Sequence, residues 1–136
     1  MIFNVITFGI LVAIAGFHIY MGLGGPLNMD TVLPKIKGKS LPFHQLAALP
    51  VAVLLAACAI AFAQKTQLIQ SNYPIKFIDL FLLLCGIAFL SRGVLGFIFF
   101  HFLDLIIDPT PFKTWDLRLY SPLTIYLGSH CLIILI

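Results

Sequence analysis

The chain alternates long apolar stretches with short polar ones, and the apolar stretches have the length of membrane spans. The pattern predicts four helices, over residues 2–21, 44–63, 77–107 and 120–136. About 20 apolar residues, rising about 1.5 Å each, suffice to cross the hydrocarbon core of a bilayer. In the first helix Asn4, Thr7, Leu11, Ala15, His18 and Gly22 recur at three- and four-residue steps, so they share one face. That face holds every polar side chain of the helix except Tyr20 and is expected to point inward. Gly9, Ala13 and Gly16 form a second seam, where small residues would let a neighbouring backbone come close. The apolar run starts at Ile2 with no basic segment ahead of it, which reads as an uncleaved helix and not a signal peptide.

The second helix is crowded with alanine and should pack tightly on a neighbour. Pro50 is expected to kink it, freeing the carbonyl of Leu46. The third is the longest run, and it carries Arg92 near its middle. An arginine there costs at least roughly 2.5 kcal/mol unless it faces other helices, water or a ligand. Cys85, Phe89, Arg92, Gly96, Phe99 and Leu103 lie along one side of that helix, with His101, Asp104 and Asp108 nearly opposite. Asp108 precedes Pro109, which should end it. Ser121 then reads as a capping hydroxyl before Pro122 at the first position of a short fourth helix. Thr124, Tyr126, Ser129 and His130 are too many polar groups for a helix surrounded by lipid, so it should be buried among the others.

The connections set the orientation. Residues 22–43 are broken by glycine and proline, and Asp30 is placed to cap a short turn ending before Pro34. A connection of that length serves as a lid or lies on the membrane surface. The first and third connections carry Lys35, Lys37, Lys39, Lys113 and Arg118, against Lys65 and Lys76 in the second. The excess of positive charge puts the first and third in the cytoplasm and both termini outside.

Composition agrees with this reading. Of 136 residues, 61% are hydrophobic and 10% charged, and the mean hydropathy is +1.09. A soluble domain of this size cannot hide so much apolar surface, so the expected class is an all-α integral membrane four-helix bundle. The net charge of +3 is carried by no basic stripe, which excludes nucleic acid as a partner and leaves membrane lipids. Cys58, Cys85 and Cys131 fall inside spans at no metal-binding or redox spacing and read as small buried side chains.

Three segments resemble a known family. They are His18-Ile-Tyr-Met-Gly-Leu-Gly-Gly25 with Met29-Asp30 and Val32-Leu33-Pro34; Leu90-Ser-Arg92-Gly93; and Trp115-Asp-Leu-Arg-Leu-Tyr-Ser-Pro-Leu123 with Tyr126-Leu-Gly128. Together they look like the small bacterial four-helix membrane proteins of domain of unknown function 3995. The resemblance implies the helix count and the fold; it implies no activity. Leu27-Asn28 and Val94-Leu-Gly-Phe97 stand where that family usually has Trp-Gly and Gly-Asp-Phe.

His18, His44, His101, Asp104, Trp115, Asp116, Arg118 and Tyr120 gather at the expected cytoplasmic end, and with Arg92 they make the candidate site. The leading functional expectation is a pocket for a small amphipathic ligand, lipid- or quinone-like, with Arg92 or Arg118 on an anionic or carbonyl oxygen. Catalysis would be an extension of this, through an imidazole at His101 oriented by Asp104. A second expectation is that the polar groups only hold the bundle together. Asp116 or Asp104 would then neutralise Arg92 or Arg118, and His130 would bond a neighbouring helix. Such a protein would act through a partner membrane protein, as an accessory subunit or immunity factor, or as a homo-oligomer. A third is b-type haem or a metal ion held by His18, His44 and His101, although no pair has a dedicated ligand spacing and no cofactor is the base expectation.

Overall fold

The computed structural model describes residues 1–36, 39–40, 45–70, 73–102 and 111–136. Four long helical segments dominate: α1 (Ile2–Gly22), α3 (Ala48–Lys65), α4 (Ile75–Phe102) and α6 (Ser121–Ile133). Between α1 and α3 come a single turn, α2 (Met29–Val32), and a two-residue antiparallel ladder, β1 (Lys35–Ile36) with β2 (Lys39–Ser40). A short 3-10 turn, Gln45–Ala47, leads into α3. The segment before α6 is helical too: α5 (Pro111–Trp115) runs through a π turn, Asp116–Tyr120, straight into it.

The helices form a closed ring. α1 packs along α3, α3 against α4, and α4 along α6. Hydrogen bonds from Thr7 to Tyr126 and His130 then tie α1 back to α6. Leu11, Phe62, Leu82, Leu127 and Cys131 are fully buried at the centre. In lipid, burying apolar surface does not draw helices together, so close packing has to. Glycines supply it where α4 meets α6. A β-carbon on Gly128 would come within 2.8 Å of the Gly86 carbonyl, and one on Gly93 within 2.9 Å of the Ser121 carbonyl.

Outside the ring the protein is apolar. Phe3, Val12 and Phe17 on α1, Val53 and Ile60 on α3, and Phe77, Leu84 and Ile98 on α4 are all exposed. Among the described residues three helical stretches, Ile2–Gly22, Gln45–Lys65 and Ile75–Phe99, are long and apolar enough to cross a membrane, with mean hydropathies of 2.1, 2.6 and 2.1. A greasy exterior around a packed interior is the surface expected of a membrane bundle.

The expected inward face of the first helix is the buried one: Thr7, Leu11, Ala15 and Gly22 are buried. The small-residue seam is not a packing face among the described residues, where a β-carbon on Gly9 or Gly16 would touch nothing within 4 Å. The close approach lies at Gly22 instead, where a β-carbon would overlap the side chain of Leu49. Pro50 does not interrupt a helix: α3 starts at Ala48, so the proline falls in its first turn, where no backbone donor is required.

Two helix ends use one device. Gly25 N–H donates to the Tyr20 carbonyl (3.0 Å) and Gly24 N–H to that of Met21 (3.1 Å), with Gly24 at φ +86°. After α3, Leu68 N–H donates to Ala63 (2.8 Å) and Gln67 N–H to Gln64 (3.2 Å), with Gln67 at φ +59°. Both are Schellman closures, but the second places a side chain where glycine is favoured. In the first connection Asn28, not Asp30, caps the short turn: its Oδ1 accepts from Asp30 N–H at 3.1 Å, and Asp30 pairs with Lys35 at 2.7 Å.

Candidate functional site

Arg92 sits on the side of α4 that faces α6, and its charge is met there. Its Nη2 donates to Asp116 Oδ1, and Nη1 reaches Ser121 Oγ at 3.4 Å. Ser121 Oγ in turn donates to Asp116 Oδ2 at 2.7 Å. Both carboxylate oxygens of Asp116 are therefore used, and Asp116 and Ser121 are each 0% exposed. The arginine is not enclosed: 44% of its side chain remains accessible. Guanidinium has five N–H donors in a planar fork, and the contacts made here leave an open edge.

Two features of the backbone create this site. The π turn Asp116–Tyr120 widens the helix just where Asp116 must reach across to α4. Gly96, one turn beyond Arg92, supplies the space: a β-carbon there would overlap Ser121 Oγ and Arg92 Nη1 and lie 2.8 Å from Asp116 Oδ2. Ser121 was expected as a helix cap. It is not one, because the helix already runs through it from the π turn, and its hydroxyl is free to hold Asp116. The Ser-Pro signal hides this role of Ser121, and helical spacing puts Gly96 on the Arg92 face without revealing the space it leaves.

Above this pair the first and third connections meet. α2 packs against α5, and Tyr120 Oη donates to the Thr31 carbonyl at 3.4 Å. Tyr20 lies flat on the backbone at Gly25, where a β-carbon would overlap its ring. The Met29–Val32 part of the first connection thus packs over one end of the bundle. Trp115 (48% accessible) and Arg118 are exposed beside it.

The other expected site residues are dispersed or undescribed. His18 Nδ1 bonds to the Ile14 carbonyl of its own helix at 2.9 Å, and its ring meets Phe17 edge-on. His101 lies in the last turn of α4, and its side chain falls outside the described residues, as do His44 and Asp104. The site therefore assembles Arg92 and Asp116, with Tyr120 tying its roof. Among the described residues no three His, Cys, Asp or Glu side chains could hold a metal ion.

Two further polar centres lie away from Arg92. Thr7 Oγ1 is 2.8 Å from Tyr126 Oη and 2.6 Å from His130 Nδ1, and the His130 ring stands edge-on to Phe62. Near the opposite end Lys65 Nζ lies 2.7 Å from Asp79 Oδ1. The three cysteines are free and buried in the core cluster.

A family model described as "Protein of unknown function (DUF3995)" matches residues 11–131. The chain belongs to this family. The match takes in α1 from Leu11, all of α3 and α4, and α6 as far as Cys131, so Arg92, Gly96, Asp116 and Ser121 all lie inside the family region. No curated protein and no solved structure matches the chain.

Proposed function

We propose that this DUF3995 protein spans the bacterial inner membrane four times and binds a small amphipathic molecule, lipid- or quinone-like, at the Arg92 end. The observation that carries the reading is the one-sided burial of the ion pair. Asp116 is sealed at 0% exposure, while Arg92 keeps 44% of its side chain accessible on a helix whose other polar groups are few. A guanidinium at that depth is costly unless its remaining donors find an oxygen. Chains of an amphipathic ligand would run along the apolar exterior, its polar end would meet Arg92, and the folded-back first connection would cover it. The first and third connections would face the cytoplasm, as their positive charge favours.

The test is extraction. Protein purified in mild detergent should release one amphipathic species on organic extraction. Arg92→Gln with Asp116→Asn, which removes the pair without stranding either charge, should release much less. Equal yields from both would refute the binding reading. Sidedness is tested separately: Thr114→Cys should react with an impermeant maleimide only from the cytoplasmic face and Gln70→Cys only from outside.

A second reading keeps the bundle as an accessory or immunity factor acting through a partner membrane protein. It is favoured by the internal pairing of charge, since Asp30, Asp79 and Asp116 each have a basic partner. A bundle whose described carboxylates each have a basic partner needs no ligand to hold those charges. A partner chain recovered at constant stoichiometry after crosslinking in native membranes, with no extractable ligand, would select this reading.

A further inference from the structure

The charge arithmetic of the Arg92 site restricts what it can receive, provided the binding reading above holds. The positive charge of Arg92 already faces the negative charge of Asp116, and Ser121 adds only a neutral hydroxyl. Among the described residues bonded to Arg92 the charges sum to zero. Asp116 cannot turn away to make room for another anion, because both of its oxygens are held and it is fully buried. A phosphate or carboxylate accepting from the open edge of Arg92 would sit within a few ångströms of that fixed carboxylate. Away from water, like charges at such range repel strongly. Arg118 is exposed, so water and salt screen its contribution. An uncharged oxygen meets no such opposition. It takes a hydrogen bond from a charged donor, the stronger kind, and leaves the balance of the pair intact.

We infer that the acceptor on the open edge of Arg92 is a neutral carbonyl oxygen, from an ester or a quinone, and not a phosphate or a free carboxylate. Asp116 is then a positioning and selectivity residue. It holds the guanidinium edge-on to the ligand and makes the site refuse anions.

Trp115 directly precedes Asp116 and is the chain's one tryptophan, so its fluorescence reports on this end. The purified protein is titrated with three probes: a dibrominated monoacylglycerol, a short-chain benzoquinone, and a dibrominated fatty acid held above the pKa of its carboxyl. In the wild type at least one neutral probe should quench saturably, with a half-saturation about tenfold below that of the fatty acid. Whether ester or quinone is the tighter identifies the source of the carbonyl. Asp116→Asn keeps the shape and removes the negative charge, and it should invert the order so that the fatty acid binds more tightly. A wild type that takes the fatty acid at least as tightly, with binding lost in Arg92→Gln/Asp116→Asn, overturns the neutral-acceptor inference and leaves the binding reading standing. An unchanged order in Asp116→Asn also overturns the inference, because the carboxylate would then not set the preference. Identical quenching of wild type and double variant by every probe brings down the inference and the binding reading together.

Discussion

Gly96 and Asp116 sit so close that a single added carbon would separate them from their present arrangement: a β-carbon on Gly96 would lie 2.8 Å from Asp116 Oδ2. The glycine is the floor of the polar site, and the ion pair between α4 and the π turn before α6 exists because that floor is empty.

Gly96→Ala should therefore push Ser121 and Arg92 off the carboxylate. Overpacking of this kind costs about 1–3 kcal/mol, against which alanine returns at most about 1 kcal/mol of helix propensity. Gly9→Ala, where a β-carbon meets nothing within 4 Å, should cost nothing or stabilise slightly. Thermal unfolding in detergent checks the contrast. Equal midpoints for the two variants would show that the floor is not tight.

Much of this could be read in the sequence, for reasons that differ by residue. Thr7, Leu11 and Ala15 were assigned correctly to the inner face because helical periodicity is a local property, written in steps of three and four. Arg92 was flagged because its cost in an apolar run is large and needs a partner. Its partner could be narrowed to a few acids. The choice of Asp116 depended on the π turn, which no propensity reveals. Ser121 was misread because Ser-Pro is a strong helix-start signal, and here the helix enters from further upstream. Pro50 was misplaced through a boundary error of a few residues, enough to move it from an interior position to a harmless one. His44 and Asp104 lie outside the described residues.

The contact between α1 and α6 should depend on one hydroxyl. Thr7→Val keeps the shape of the side chain and deletes both hydrogen bonds, leaving Tyr126 Oη and His130 Nδ1 without that partner. Hydrogen bonds between membrane helices are worth about 0.6–1.7 kcal/mol, so a loss of about 1–2 kcal/mol is expected. Unfolding by titrated denaturing detergent measures it. An unchanged midpoint would mean that the ring is closed by packing alone.

The end of α3 offers a change in the opposite direction. Gln67 occupies a left-handed conformation that glycine adopts freely, at φ +59°. Gln67→Gly should stabilise the turn by up to about 1 kcal/mol, since the left-handed penalty outweighs the added chain entropy. A lower unfolding midpoint would show that the Gln67 side chain makes a contribution larger than the strain.

The central claim is that the charge buried in the longest apolar helix is answered from within the protein, by Asp116 on the neighbouring segment. A double-mutant cycle with Arg92→Gln, Asp116→Asn and the double variant measures that answer directly. The two single changes should each destabilise, and the double should be less damaging than their sum by about 0.5–3 kcal/mol, the range for residues in one ionic network. Strict additivity, within about 0.3–0.5 kcal/mol, would mean that Arg92 and Asp116 do not hold each other, and the account of the site would fall.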